Sequence, residues 1–272
     1  MNKIMIGITT FNRKNILVKM AKSFSECAIL DGSKIIIFDD HSSEYGKDFL
    51  SKLFPNAQIF INECSIGADN NIYAIYQYFL KTDRNILFSI DSDLIFNPDF
   101  INIGIKYIDN TDGILSLYNS LKHKYYKKIS IGQETFLLKR TIGTAGTVFT
   151  KKILKKIIEN VPCTRQFDWD YSYYLNNIGI KIFVTEKSYV QHIGFHGFNT
   201  QNALFMDYGL NFDPITITNY NYLLELLESV IIQGDIALSQ TTERLNESYW
   251  IKKKSIPGYI IKFLLEIKNK IT

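Results

Sequence analysis

Asp91 and Asp93 stand two positions apart at the end of the stretch NILFSIDSDLIF, directly after the bulky apolar run Ile86-Leu87-Phe88. In an extended chain, residues i and i+2 point to the same side, so the two carboxylates can converge on one hard cation. Left unpaired beside a core they would cost several kcal/mol, so such pairs bind a cation or face solvent. A polar turn capped by Asp91 is the plain alternative. Three further acidic groups recur down the chain: Asp39-Asp40, Asp69, and Asp168 with Asp170. Each alone reads as a helix cap or loop residue. Together they suggest more, because the carboxyl ends of parallel strands share one crevice, where Asp39-Asp40, Asp69 and the Asp91/Asp93 pair can line a single site. Such a site suits a metal-bound diphosphate flanked by hydroxyl-rich groups. His192 and His196 lie close together in YVQHIGFHG. A histidine after a strand is usually a hydrogen-bonded structural residue, but imidazole is also a reasonable ligand for Mn²⁺. The small-residue loop Gly143-Thr144-Ala145-Gly146 lacks the spacing of a dinucleotide or ATP cradle, and allows close backbone approach by a substrate.

The elements that must position these residues alternate. Residues 3–9 (KIMIGIT) and 34–38 (KIIIF) read as buried strands, 58–62 as a third, and the run before Asp91 as another. Helical spacing marks residues 14–25, 44–54 and 71–80. Asn97-Pro98-Asp99 opens a further helix, with Pro98 suited to its first turn. Strands are expected at 113–118 and 181–185, and 147–150 leads into a short basic helix at 151–160. The segment FDWDYSYYLN at 167–176 reads as a helix with acidic residues at its start. After Asp213-Pro214 the pattern becomes helical and hydrophobic over 221–230, and the tail carries Ile256, Ile260, Phe263, Leu264, Ile267 and Ile271 at helical spacing. Strand–helix alternation predicts an α/β fold with a mostly parallel sheet flanked by helices. The expected units are a body at residues 1–215 and a C-terminal helical extension at 216–272.

Composition bounds the alternatives. The chain has 272 residues, 46% hydrophobic and 21% charged, which is ample for a core and argues against disorder. Cys27, Cys64 and Cys163 are too scattered for a disulfide framework or a thiolate zinc site. The N-terminus reads straight into a strand rather than a signal peptide, and no apolar run is long enough to span a bilayer. The net charge of +4 is uneven: Trp250 to Thr272 holds six lysines and one glutamate, or +5, which leaves −1 on the remainder. A basic tail on a near-neutral body points to an anionic surface at one end, not to a nucleic-acid face. Docking on the body or on a second protomer is the alternative for its apolar stripe; a basic amphipathic helix on anionic lipid is the other reading.

The order TTFNR, FDDHSS, SIGADNN, SIDSDLIF, FDWDYSYYL resembles nucleotide-sugar glycosyltransferases of the GT-A fold, above all the inverting family 2, across roughly residues 3–197. The resemblance implies that Thr9 and Thr10, closing the first strand, and Asp39 or Asp40, after the second, hold the nucleoside. It places Gly67 and Asn71 near the ribose; the stretch here reads GADNN, without the arginine the family often carries. Asp91, Ser92 and Asp93 match the D-x-D motif: Asp93 as metal ligand, Asp91 and Ser92 at the ribose or metal. His192 resembles a late metal or diphosphate ligand. Asp168 takes the place of the catalytic aspartate, with Asp170 in reserve and Phe167 where a glutamate is usual. The implied cofactor is Mn²⁺ or Mg²⁺, acting as a Lewis acid on the diphosphate, and an inverting transfer needs a carboxylate base at the acceptor hydroxyl.

The expectation is therefore a metal-dependent glycosyltransferase using a nucleoside diphosphate sugar, first of all a UDP-sugar. By family analogy the acceptor is a glycan or glycolipid in bacterial surface polysaccharide, lipo-oligosaccharide or glycoprotein glycan synthesis. The expected location is cytoplasmic, peripheral on the inner face of the cytoplasmic membrane where the tail binds lipid, and a homo-oligomer is open. Two other classes compete. A nucleotidyltransferase would carry a Gly-rich basic loop where this chain has ITTFNRKN, and a non-catalytic binding subunit would have no use for Asp168.

Overall fold

A computed structural model describes residues 3–195 and 206–252, with side chains through Arg244. In chain order the elements are β1 (Ile4–Thr10), α1 (Lys14–Phe24), β2 (Lys34–Asp39), α2 (Lys47–Leu53), β3 (Ala57–Ile61), α3 (Ala68–Leu80), β4 (Ile86–Asp91), β5 (Leu94–Phe96), α4 (Phe100–Ile108) and β6 (Ile114–Ser116). There follow β7 (Tyr125–Ile131), β8 (Glu134–Lys139), β9 (Thr147–Thr150), α5 (Lys151–Asn160), α6 (Phe167–Asn177), β10 (Ile182–Thr185), β11 (Val190–His192) and α7 (Ile217–Lys252).

Nine strands form one sheet in the order β3-β2-β1-β4-β9-β6-β10-β8-β7. β1 to β4 are parallel, as their unbroken Ile-rich runs require of strands covered on both faces. β9 runs against both its neighbours, β4 and β6. Two apolar layers sandwich the sheet: α1, α2 and α4 with Met20, Leu50 and Phe100 on one face, α3, α5 and α6 with Ile75, Leu154 and Tyr171 on the other. The α/β class with a mostly parallel sheet is as expected.

The differences from the sequence reading have physical causes. The hairpin β7–β8 falls in residues 119–142, where no element was expected. β7 is a lysine-bearing edge strand with mostly exposed residues, so it shows no clean alternation. The helix expected at 44–54 begins only at Lys47, because Glu44 is spent elsewhere: its carboxylate accepts the backbone N–H groups of Arg13 and Lys14 and so caps α1 from another loop. The helix expected at 221–230 lies in the first half of a much longer α7, whose exposed apolar residues blurred its amphipathic pattern. The basic tail beyond residue 252, and His196, lie outside the described residues.

α7 is fixed to the body through its first turns. Asn219, fully buried, accepts from Ser23 Oγ (2.7 Å) and donates to the carbonyls of Phe96 (2.7 Å) and Pro214 (3.0 Å). Leu226, Ile95, Ile193 and Met206 form a small third apolar cluster beside it.

Candidate functional site

The carboxyl edge of the parallel strands gathers most of the residues singled out in the sequence. Strand register sets Thr9 beside Asp91 and Thr10 beside Asp39. β4 ends at Asp91, a two-residue turn carries Ser92 and Asp93, and β5 then pairs antiparallel with β11, His192 opposite Leu94. This short second sheet brings a histidine 99 residues away onto the acidic pair, with His192 Nδ1 3.1 Å from Asp93 Oδ1. The Tyr118 ring stands edge-on to the imidazole at 5.1 Å. One ligand atom each from Asp91, Asp93 and His192 lie within 4.8 Å of one another.

Arg13 completes the cluster, its Nη1 donating to Asp93 Oδ2 at 3.1 Å. Nothing in the spacing of TTFNR assigns Arg13 a role. The backbone puts it there: Asn12 and Arg13 both adopt left-handed φ angles, 47° and 53°, each costing about 1–2 kcal/mol. They are held by Asn12 Oδ1, which accepts the Ser43 N–H at 2.8 Å, and by the Glu44 cap. Gly194 is required on the opposite side. A Cβ there would come within 2.5 Å of Asp93 and 2.7 Å of Arg13 Nη1.

The electrostatics divide the acidic pair. Burial pushes the Asp93 carboxyl up, but His192 and Arg13 outweigh it and hold Asp93 well below the usual carboxylate range. Asp91 is pushed up to about 6 by burial and by the charge of Asp93. His192 is lowered by burial, yet the Asp93 charge and hydrogen bond raise it overall. Two carboxylates and an imidazole that converge, Asp93 buried and Asp91 and His192 half-buried, are a donor set that fits a divalent cation of the Mn²⁺ or Mg²⁺ type. Arg13 supplies positive charge to Asp93 in the protein alone, and His192 Nδ1 lies within hydrogen-bond distance of it.

The remaining nucleoside-side candidates are heavily bonded within the protein. Asp39 accepts from Thr10 Oγ1 (2.8 Å), Ser42 Oγ (2.6 Å) and Ser42 N–H (2.8 Å). Asp40 accepts from Asn62, Ser65 Oγ and the N–H groups of Ile66 and Gly67, all within 2.9 Å. Burial alone would raise Asp40, and these four donors instead lower it. Gly67 presents its N–H from a φ of 87°, a conformation natural to glycine. Asn71 donates to the Phe38 carbonyl at 2.9 Å and accepts from Asn62 at 3.1 Å. Asp40, Gly67 and Asn71 thus form a braced wall beside Asp39, which is fully buried with its three donors.

Asp168 sits apart from the cation cluster, in the first turn of α6. It does not cap the helix: Gln166 is the residue preceding it, and Asp168 Oδ1 accepts the next N–H, of Trp169, at 2.9 Å. Burial, then the charges of Asp69 and Asp170, push its carboxyl up to about 6 against the opposing Trp169 N–H. Asp69, another of the acidic groups, stands in the first turn of α3, and packing of Tyr73 on Phe167 at 5.3 Å brings the two helix starts together. Asp170 is engaged by Thr164 Oγ1 at 2.5 Å, which leaves Asp168 the freer of the pair. A Cβ on Gly143 would lie 3.9 Å from Asp168 Oδ2, so the small-residue loop faces this carboxylate. A cavity of about 420 Å³ is lined by Arg165, Gln166, Asp168 and Trp169. A second of about 420 Å³ lies against α7 between Gln191, Phe212 and Leu226, without carboxylate, histidine or cysteine, and is not where chemistry would occur. The Cys27 thiol, pushed up to about 12 chiefly by burial, is inert.

Comparison with known proteins agrees with this geometry. No curated protein matches the chain. Among solved structures, S. aureus TarS residues 1–349 in complex with UDP is similar over 69% of this chain at 16% identity, with a TM-score of 0.51. The same TarS segment alone gives 15% identity and a TM-score of 0.50 over 69% of this chain. The match spans 59% of that segment and 36% of the longer TarS chain. At such identities the likeness is one of fold, and the fold is that of the GT-A glycosyltransferases. The sequence model "Glycosyl transferase family 2" matches residues 5–164, more than half the chain, from β1 through the acidic pair to the residues just before α6; the chain belongs to glycosyl transferase family 2.

Proposed function

We propose that this protein transfers a sugar from a nucleoside diphosphate sugar to a glycan hydroxyl with inversion at the anomeric carbon. What carries the reading is the separation of two carboxylate centres with different charge environments: a cationically balanced Asp91–Asp93–His192 cluster, and Asp168 with a carboxyl pushed up to about 6 beside its own cavity. Asp91, Asp93 and His192 would hold Mn²⁺ or Mg²⁺, which when bound supplies Lewis-acid stabilisation of a diphosphate leaving group. Thr9, Thr10, Asp39 and Ser92 border the nucleoside end of the crevice, over the wall braced by Asp40, Gly67 and Asn71. Asp168 accepts the acceptor hydroxyl proton as that oxygen attacks. A carboxyl near 6 is ionised at neutral pH and more basic than an ordinary aspartate, which suits that task. Arg165, Gln166 and Trp169 orient the acceptor.

A UDP-sugar is the first donor to test, because the TarS neighbour of this fold was captured with UDP. On this reading residues 1–215 are the catalytic unit and residues 216–272 an extension; the acceptor is a surface polysaccharide, lipo-oligosaccharide or glycoprotein glycan, and the enzyme works at the cytoplasmic face of the membrane that carries it. No helix among the described residues is long and apolar enough to cross a membrane.

The test is a nucleotide-sugar panel with purified protein, Mn²⁺ and pooled glycan acceptors, with and without EDTA, following nucleoside diphosphate release and donor binding by calorimetry. EDTA-sensitive release from one donor, abolished in Asp168→Asn with donor binding retained, is the expected result. Absence of both release and metal-dependent nucleotide binding would overturn it.

A further inference from the structure

Both oxygens of Asp93 are engaged, Oδ1 by His192 Nδ1 and Oδ2 by Arg13 Nη1, each at 3.1 Å. For this carboxylate to ligate a divalent cation one of the two must give way, and Arg13 is the one able to leave. His192 is set in the β11 ladder with its ring edge-on to Tyr118, and its side chain is 19% exposed. The Arg13 side chain is 31% exposed and ends a long flexible stem, so its guanidinium can turn while the left-handed backbone and the Glu44 cap hold its Cα in place. The loop that carries it starts from Thr10, at the nucleoside end of the crevice, and leads into α1. A diphosphate that joins a nucleoside to a cation must lie between Thr10 and Asp93, the interval that Arg13 spans.

We propose that Arg13 is the diphosphate-binding side chain of this site, exchanging Asp93 for the diphosphate oxygens of the donor. This rests on the glycosyl-transfer reading and adds to it the group that meets the leaving charge. Charge calls for such a group. The carboxylates of Asp91 and Asp93 together cancel a divalent cation, so these three alone would attract an anionic diphosphate weakly. As the anomeric C–O bond breaks, its electron pair stays on the diphosphate oxygen, which gains a negative charge; the acceptor oxygen bonds the anomeric carbon and its proton passes to Asp168. A guanidinium fork reaches two phosphate oxygens at once and gains most as that charge appears. The facing wall offers no substitute, since the sequence from Phe54 to Leu80 holds no lysine or arginine. Lys14 lies over the Phe49 ring, Lys139 is buried on Asn119 and Ser120, and Arg165 lines the Asp168 cavity. Among the lysines and arginines of the described residues, Arg13 is the one bonded to the cation cluster.

Calorimetry of the full chain at neutral pH, with Mn²⁺ alone and then with UDP or GDP in saturating Mn²⁺, separates the possible roles of Arg13. Arg13→Ala keeps the backbone bonds of the loop and the same left-handed strain, so far-UV circular dichroism should match the parent. Mn²⁺ alone should bind this variant at least about 3-fold more tightly, because a competing cation is gone, while the nucleoside diphosphate should bind about 10–100-fold more weakly. Contacts of the matching nucleoside, read by saturation-transfer NMR, should be unchanged. Arg13→Lys should recover part of the diphosphate affinity, since it keeps the charge and loses the fork. Weaker binding of Mn²⁺ alone to Arg13→Ala would make Arg13 a brace for Asp93 and overturn the proposal. A parent that binds the diphosphate with Mn²⁺, and an Arg13→Ala variant that binds it as well or better, would overturn this inference alone. A parent that binds neither UDP nor GDP with Mn²⁺ would overturn it together with the glycosyl-transfer reading.

Discussion

Asp168 links stability and activity through one proton. Its folded-state carboxyl stands at about 6, above the unfolded value near 3.8, because burial and the charges of Asp69 and Asp170 oppose ionisation. A raised carboxyl gives stability that is fully present below the unfolded value and lost as pH rises through the folded one, here between about pH 4 and 6. At pH 7.5 the ionised Asp168 should therefore cost about 1–3 kcal/mol after allowance for solvent screening. Asp168→Asn is expected to unfold at higher denaturant than the parent at pH 7.5 and to lose that advantage at pH 4. The same substitution should lower transfer by at least about 100-fold. In the parent, kcat/KM should climb to a plateau as pH passes about 6, and no such limb should remain in the variant's residual rate. A variant less stable than the parent at pH 7.5 would sink this account of Asp168.

At the scale of elements, two contacts carry predictions. Gly194 follows β11 and passes so close to Asp93 that a methyl group would lie 2.5 Å from its carboxylate. Gly194→Ala should displace Asp93 or Arg13, weakening Mn²⁺-dependent nucleotide binding by about 10–100-fold while the melting temperature falls little. Unaltered nucleotide affinity in calorimetry would count against the Asp93 assignment. Asn219 joins α1, β5 and α7 through three hydrogen bonds in a buried setting. Asn219→Ala would leave the Phe96 carbonyl and Ser23 short of partners, at a cost of about 2–3 kcal/mol. Urea unfolding should register that loss, and hydrogen exchange should place the added fraying at the start of α7. Protection unchanged there would mean that apolar packing alone seats the helix.

For the whole molecule, the charge balance at the cation cluster predicts a fold independent of metal. Asp93 already has Arg13 and His192 beside it, so EDTA alone should leave the melting temperature nearly unchanged. Mn²⁺ with UDP at about 100 times the dissociation constant should add about 2.7 kcal/mol, or roughly 5–10 °C for a chain of this size. Asp93→Asn should abolish the shift. Thermal melts with and without each component read both effects, and a large EDTA effect by itself would point to a structural metal instead.

Much of this was legible in the chain. The buried strands announced themselves because parallel strands covered on both faces must be apolar throughout, as KIIIF and the run before Asp91 are. Helices α1, α5 and α6 were readable to within a residue or two from spacing and first-turn chemistry. Asp91, Asp93, Asp168 and His192 could be named because strand ends and helix starts are where a carboxylate or an imidazole reaches a crevice, and the order of the motifs carried the family. Tertiary structure alone decided the rest. Pairing across 99 residues put His192 on Asp93. Two left-handed residues, braced by a loop 30 residues away, aimed Arg13 at the same carboxylate. The four hydrogen bonds of Asp40 made it a brace and not a free ligand. None of these leaves a periodic trace in sequence, since periodicity records which side of an element is buried and not which distant group lies against it.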